Sequence, residues 1–195
     1  MKVRVKLKTK KDLNMINLYK KNIRRVYKSV KLEDIDSGMG WYWEARKFCT
    51  QISKEYNVPL YKVVGILSAL SPRNRWERNK IDTISILTKG EGATVATFNP
   101  NKRKALKILK AEEGEVLSIL NGMKTKSFYS NIYNAIDEEV TIDVWAVRVA
   151  GLEGSLTSKR YADIAEAFRV VALELGVMPK QLQALTWGAV RLNYN

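Results

Sequence analysis

The sequence predicts an all-α protein of about ten helices of modest length. Three observations lead there. Apolar residues recur at three- and four-residue spacing through most of the chain. Gly, Pro and Asn interrupt those stripes at places suited to helix ends. No pair of alternating runs joined by a tight turn suggests a β-hairpin, and there is no internal repeat or low-complexity tract.

Residues 1–11 alternate basic and apolar side chains and read as a short strand or a basic N-terminal arm. From residue 12 onward Leu13, Ile16, Leu18 or Tyr19, Ile23, Val26 and Tyr27 form a helical stripe with a basic opposite face. Asp36-Ser37-Gly38-Met39-Gly40 reads as a break with cap chemistry, and a helix from about 41 to 56 follows. Pro59 suits the first turn of the next helix. That helix carries Val63, Val64, Ile66, Leu67 and Leu70, is apolar nearly all round, and is expected at the centre of the fold. Ser71-Pro72 ends it.

A polar helix is expected from about 75 to 87, then a loop over 91–101. Short helices are expected near 102–111 and 114–120, with a turn at 121–125. Further helices are expected near 126–136 and 143–151. Thr157 or Ser158 caps a long helix with the stripe Tyr161, Ile164, Ala165, Phe168, Val171 and Leu175, closed by Gly176. Pro179 opens the last helix, about 179–192.

Composition narrows the function. The chain has 195 residues and is 46% hydrophobic, enough for one domain or two lobes sharing a core. No apolar run of ~18 residues is present to span a membrane, and the start lacks the apolar stretch of a secretory signal. There is no histidine, and Cys49 is the one cysteine. An intramolecular disulfide and a cysteine-ligated zinc or iron–sulfur centre are therefore excluded within one chain, and no cofactor is expected. A reducing cytoplasm is the expected compartment, the host's if the chain is viral. The net charge is +14, and twelve of the 34 basic residues fall within residues 1–31, where Asp12 is the lone acid. Such an excess suits a polyanion, because each cation laid on a phosphate releases a counterion. The basic residues are not confined to one amphipathic helix, which argues against a membrane surface.

Two features carry the chemistry. In Leu120-Asn121-Gly122-Met123-Lys124-Thr125-Lys126-Ser127, Gly122 permits positive φ and close backbone approach. The helix expected to open at Thr125 to Ser127 then aims free N–H groups out of the turn, where they bind an anion; Lys124 and Lys126 add charge. A plain helix–turn–helix connector is the competing reading. Asp143 lies seventeen positions after Lys126, at the end of the run Val140-Thr141-Ile142. It reads as a helix N-cap, as an active-site carboxylate, or as both. Breaking an N-glycosidic bond builds positive charge on the sugar, which a carboxylate near C1′ stabilises.

Leu-x-Gly-x-x-x-Lys, followed by a β-branched run, Asp and x-x-x-x-Arg-Val, resembles the helix–hairpin–helix superfamily of DNA glycosylases, the endonuclease III group. The segment 63–70 with Ile66-Leu67-Ser68-Ala69 resembles that group's buried Leu-Ser-Ala helix. The loop 98–104 with Ala105 resembles the segment before its hairpin. Leu185-Thr186-Trp187-Gly188-Ala189-Val190-Arg191 resembles its last core helix. The resemblance spans roughly residues 60–192.

The resemblance implies a two-lobed helical bundle with a cleft between the lobes. Residues 58–137 would form one lobe, ending in the hairpin. Residues 12–57 would pack with 138–195 as the other. Asp143 matches the essential aspartate, Gly122 the first hairpin glycine, and Lys126 the lysine that forms a Schiff base at C1′ in bifunctional members. This chain has Asn121 at the proline position and Lys124 at the second glycine position, so either lysine is a candidate for the reactive amine. The loop after the buried helix would meet DNA near the extruded nucleotide. There Arg73 and Arg75 suit phosphates, Asn74 a base edge, and Trp76 a stacking or hole-filling role, with core packing the equal alternative for Trp76. The cluster Trp41-Tyr42-Trp43-Glu44 reads more readily as packing, and Trp145 and Trp187 as core.

The implied activity is release of a modified or damaged base from double-stranded DNA by a monomer, with a lyase step as an extension. A glycosylase-like transferase in DNA base hypermodification and a non-catalytic DNA-binding protein are the alternatives.

Overall fold

The computed structural model describes residues 8–134 and 138–192. Among the described residues the protein is 76% helical, with ten α-helices and no strand. The all-α expectation holds. The chain divides into two compact units at Met39/Gly40 and Thr141/Ile142. The resemblance implies corresponding boundaries at 57/58 and 137/138.

In the first unit, α1 (Lys10–Tyr27) opens on a capping box. Thr9 Oγ1 accepts from the Asp12 N–H, and Asp12 Oδ2 accepts from the Thr9 N–H. Residues 10 and 11 of the anticipated arm are thus helical, and its residues 1–7 lie outside the described part. Ile16, Tyr19 and Ile23 form the buried stripe of α1, which packs on α9 (Ser158–Leu175). Phe168 of α9 is fully buried. Three side-chain links fix this unit. Arg24 grips Glu174 with two bonds of 2.9 and 2.8 Å, Lys159 bridges Asp12 and Asp163, and Asn22 donates to the Ala150 carbonyl. Thr157 caps α9 and Gly176, at φ 67°, ends it in the left-handed conformation, as the sequence predicts. α10 (Pro179–Leu192) packs against α1, α9 and the short α8 (Val144–Val149). Trp145 and Trp187 are half-buried rather than core, each with an arginine (Arg148, Arg191) stacked on its ring.

The anticipated break at 36–40 is absent. One helix, α2 (Leu32–Glu55), runs straight through it. Gly38 is there for packing: a Cβ at this position would stand 2.7 Å from Leu185 Cδ2 and 3.1 Å from Leu185 Cα. Ser37 turns its hydroxyl back to the Asp34 carbonyl, so it does not act as a cap.

The second unit is built around α3 (Leu60–Leu70). Eight consecutive residues from Val63 to Leu70 are buried, as its all-round apolar pattern requires. α4 (Trp76–Lys89), α5 (Asn99–Lys110), α6 (Val116–Leu120) and α7 (Met123–Tyr133) all pack on it. Gly65 lets α5 and α6 come close, since a Cβ would lie 2.9 Å from Ile108 and 3.0 Å from Val116. Cys49 of α2 is buried, and desolvation pushes its thiol up to about 12.

Candidate nucleic-acid interface

The hairpin is a two-residue turn between α6 and α7 in the second unit. Its geometry differs from the expected one at two points. Asn121, not Gly122, takes the left-handed conformation, at φ 45°. An Asn tolerates this because its short polar side chain is held locally: Lys104 Nζ donates to Asn121 Oδ1 at 2.8 Å and to the Leu120 carbonyl at 3.3 Å. Gly122 has φ −86° and is the N-cap of α7, which therefore starts at Met123 rather than at Thr125 to Ser127. What Gly122 supplies is room, because a Cβ would sit 3.1 Å from Thr125 Oγ1, the hydroxyl that donates to the carbonyls of Leu120 and Gly122.

No side chain caps α7. The N–H groups of Met123, Lys124 and Thr125 consequently have no acceptor within the helix. Lys124 and Lys126 are half-buried beside them. Further along α7, Ser127 and Asn131 hold the segment that leads towards Asp143. Ser127 Oγ donates to Glu139 Oε2, Asn131 Nδ2 donates to the Glu139 carbonyl, and Thr141 Oγ1 donates to Asn131 Oδ1.

The loop 71–75 belongs to the same unit. Arg73 is exposed, has φ 54°, and holds its guanidinium over the Phe98 ring at 5.6 Å. A left-handed arginine persists where its surroundings over-determine it. Here Thr97 Oγ1 donates to the Pro72 carbonyl, and Asn74 Nδ2 donates to Asp82 Oδ2. Asn74, expected on a base edge, thus spends an amide N–H on fixing the loop. Arg75 is exposed at the N-terminal end of α4. Trp76 is half-buried, 5.1 Å from Trp41 and 6.3 Å from Phe48, with Lys80 over its ring. The packing role considered for Trp76 and for Trp41-Tyr42 is the one these contacts describe.

Lys104 stands out in the sequence only as the residue before Ala105 in the segment ahead of the hairpin, and Asp82 hardly at all. Asp82 is fully buried and accepts from Asn74, from the Ala96 N–H at 2.8 Å and from Arg78 Nε at 2.8 Å. Its spacing of four from Arg78 was the one available signal.

Asp143 lies in the first unit as the N-cap of α8. Its Oδ1 accepts from the N–H groups of Trp145 and Ala146 at 3.0 and 2.9 Å, and the residue is half-buried rather than sealed inside. Ile142, just before it, is anchored through its N–H to the Tyr161 hydroxyl. The cap reading of Asp143 is therefore realised, and the carboxyl is held rigidly at a partly accessible position.

Fold and site together define an all-helical, strongly basic protein with an uncapped helical hairpin and a half-buried aspartate heading a short helix. By sequence it belongs to a family of unknown function, DUF7178, whose profile matches residues 6–194. No curated protein and no solved structure matches the chain.

Proposed function

We propose that this protein is a DNA glycosylase of the helix–hairpin–helix type. The observation that carries the reading is the order of parts along the chain. A helical hairpin with uncapped N–H groups and two lysines is followed, seventeen positions after Lys126, by an aspartate fixed at the head of a helix. A phosphate suits the first part and a sugar cation the second. The strained, over-determined Arg73 supports a DNA-facing role for the loop 71–75, since strain of this kind clusters at binding sites. The net charge of +14 supports a polyanionic partner.

In the proposed reaction a nucleotide leaves the duplex stack. The C1′–N bond breaks, its electron pair goes to the base, and the base takes up a proton. Asp143 stabilises the oxocarbenium-like sugar and accepts the proton of the water that attacks C1′. The products are free base and an abasic site. Lys126, attacking C1′ in place of water, would give the lyase extension, and borohydride trapping on abasic DNA reads that step separately.

The test uses duplex oligonucleotides carrying uracil, hypoxanthine, 3-methyladenine, 8-oxoguanine or thymine glycol. Mass spectrometry follows free base and abasic sites. The substitution Asp143→Asn keeps an oxygen to cap α8 and removes the charge. It is expected to lower base release at least ~100-fold while DNA affinity changes less than about threefold. Full turnover by the variant sinks the assignment of Asp143. An altered nucleoside in place of free base moves the protein to the transferase reading, and binding with no product from any duplex leaves a binding protein.

A further inference from the structure

The outward face of α2 in the second unit is the most strongly patterned surface that the proposed reaction does not use. Trp43, Arg46, Lys47, Thr50, Gln51 and Lys54 recur at three- and four-residue spacing, so they share one helical face. They line a shallow groove of about 420 Å³. The opposite face carries Tyr42, Ala45, Cys49 and Ile52, all buried. Trp43 therefore has no part in the core, and it is 64% exposed. A tryptophan this open on a soluble surface is unusual, because burying its ring is worth so much.

The stripe is chemically one-sided. It holds three cations and no carboxylate. The neighbouring Glu44 meets Lys47 at 3.7 Å, with both side chains about two-thirds exposed, a pair too weak to neutralise the face. Arg46 is preset: it lies 5.9 Å over the Tyr133 ring and gives one of its five N–H groups to the Ile132 carbonyl at 3.3 Å. Thr50 donates to the Arg46 carbonyl, which leaves its oxygen to accept, and Gln51 offers both a donor and an acceptor. From Trp43 to Lys54 the face is roughly 16 Å long at 1.5 Å per residue.

We propose that this face binds a single-stranded DNA segment, stacking one base on Trp43 and setting the backbone on Arg46, Lys47 and Lys54. An open indole needs an unpaired base, because a duplex already stacks its own base faces. An acidic peptide would use the cations but leave the indole without a partner. The inference rests on the proposed function for the choice of DNA over RNA and for nothing else.

The experiment is fluorescence anisotropy of the full chain with labelled dT15, rU15, a 15-bp duplex and a poly-glutamate peptide. Thermal melts confirm that each variant is folded. Trp43→Ala is expected to weaken dT15 binding about tenfold, the scale of one lost stack, while Trp43→Phe keeps most of the affinity. The double variant Lys47→Ala/Lys54→Ala should reduce the slope of log K against log salt by about 1.4, two phosphates at ~0.7 each. Duplex binding should be indifferent to Trp43→Ala. The inference is overturned if Trp43→Ala binds dT15 as the parent does, if duplex affinity falls by the same factor, or if rU15 or the peptide is preferred. A chain that uses this face for dT15 yet releases no base keeps the inference and removes the glycosylase. A chain that releases base and ignores Trp43→Ala does the reverse.

Discussion

Two glycines on α2 show how single residues constrain this protein in opposite ways. Gly38 faces Leu185, and a methyl group there meets both its side chain and its backbone. Gly40 has nothing within 4 Å of the corresponding position. Gly38→Ala is therefore expected to destabilise by about 1–3 kcal/mol through overpacking. Gly40→Ala should stabilise by roughly 0.5–1 kcal/mol by removing backbone freedom from a helix interior. Urea denaturation of the two variants checks both signs. The same residues explain a misreading. Asp-Ser-Gly looks like a helix start in sequence, and the partner that makes Gly38 necessary lies 147 positions away, 185 − 38. The hairpin repeats the lesson: Gly122 was expected to carry positive φ, and Asn121 carries it because Lys104 holds its side chain.

Among the elements, periodic ones were legible and loops were not. The buried run of α3, the stripe and both ends of α9, and the capping role of Asp143 follow from patterns a few residues long. The arrangement of the loop 71–75 depends on bonds that carry no sequence period, from Thr97 to Pro72 and from Ala96 to Asp82. Asp82 joins α4 to both loops. Its loss as Asp82→Ala would leave the Ala96 N–H, the Asn74 side-chain amide and Arg78 without this acceptor. The expected cost is about 1–3 kcal/mol, because the bonds lost are part-buried and the Arg78 left behind reaches solvent, read as a lower denaturation midpoint. Faster hydrogen exchange at the Ala96 amide should accompany it. A loop held by its own turn geometry would instead keep Ala96 protected.

For the molecule as a whole, charge sets the response to pH. There is no histidine, so no imidazole titrates near neutrality. The bond to Lys159, and then those to Thr9, hold the Asp12 carboxyl well below the usual carboxylate range. Asp12, and then Asp163, raise the Lys159 ammonium above its ordinary value. Asp12 has a lowered folded-state value, so its contribution is present above the unfolded value and is lost as pH falls through the folded one. Lys159 has a raised value, so its contribution is present below the unfolded value and is lost as pH rises through the folded one. The melting temperature should be flat from roughly pH 5 to 8 and fall below about pH 4; it should fall again from about pH 8.5, where the Cys49 thiol ionises in the unfolded chain but stays protonated in the folded one, and further above about pH 10.4. Lys159→Met should lower the plateau and soften the acid limb. Thermal melts across pH check this, and a step near pH 6.5 would contradict it. The contact boundaries at 39/40 and 141/142 also have a temporal consequence. Gly40–Thr141 is one uninterrupted stretch, available for collapse as soon as it leaves the ribosome. α1 is made before α9, and the α9 surface on which it rests comes more than a hundred residues later. α1 therefore waits for its partner, and its apolar stripe is what a chaperone would meet on the nascent chain.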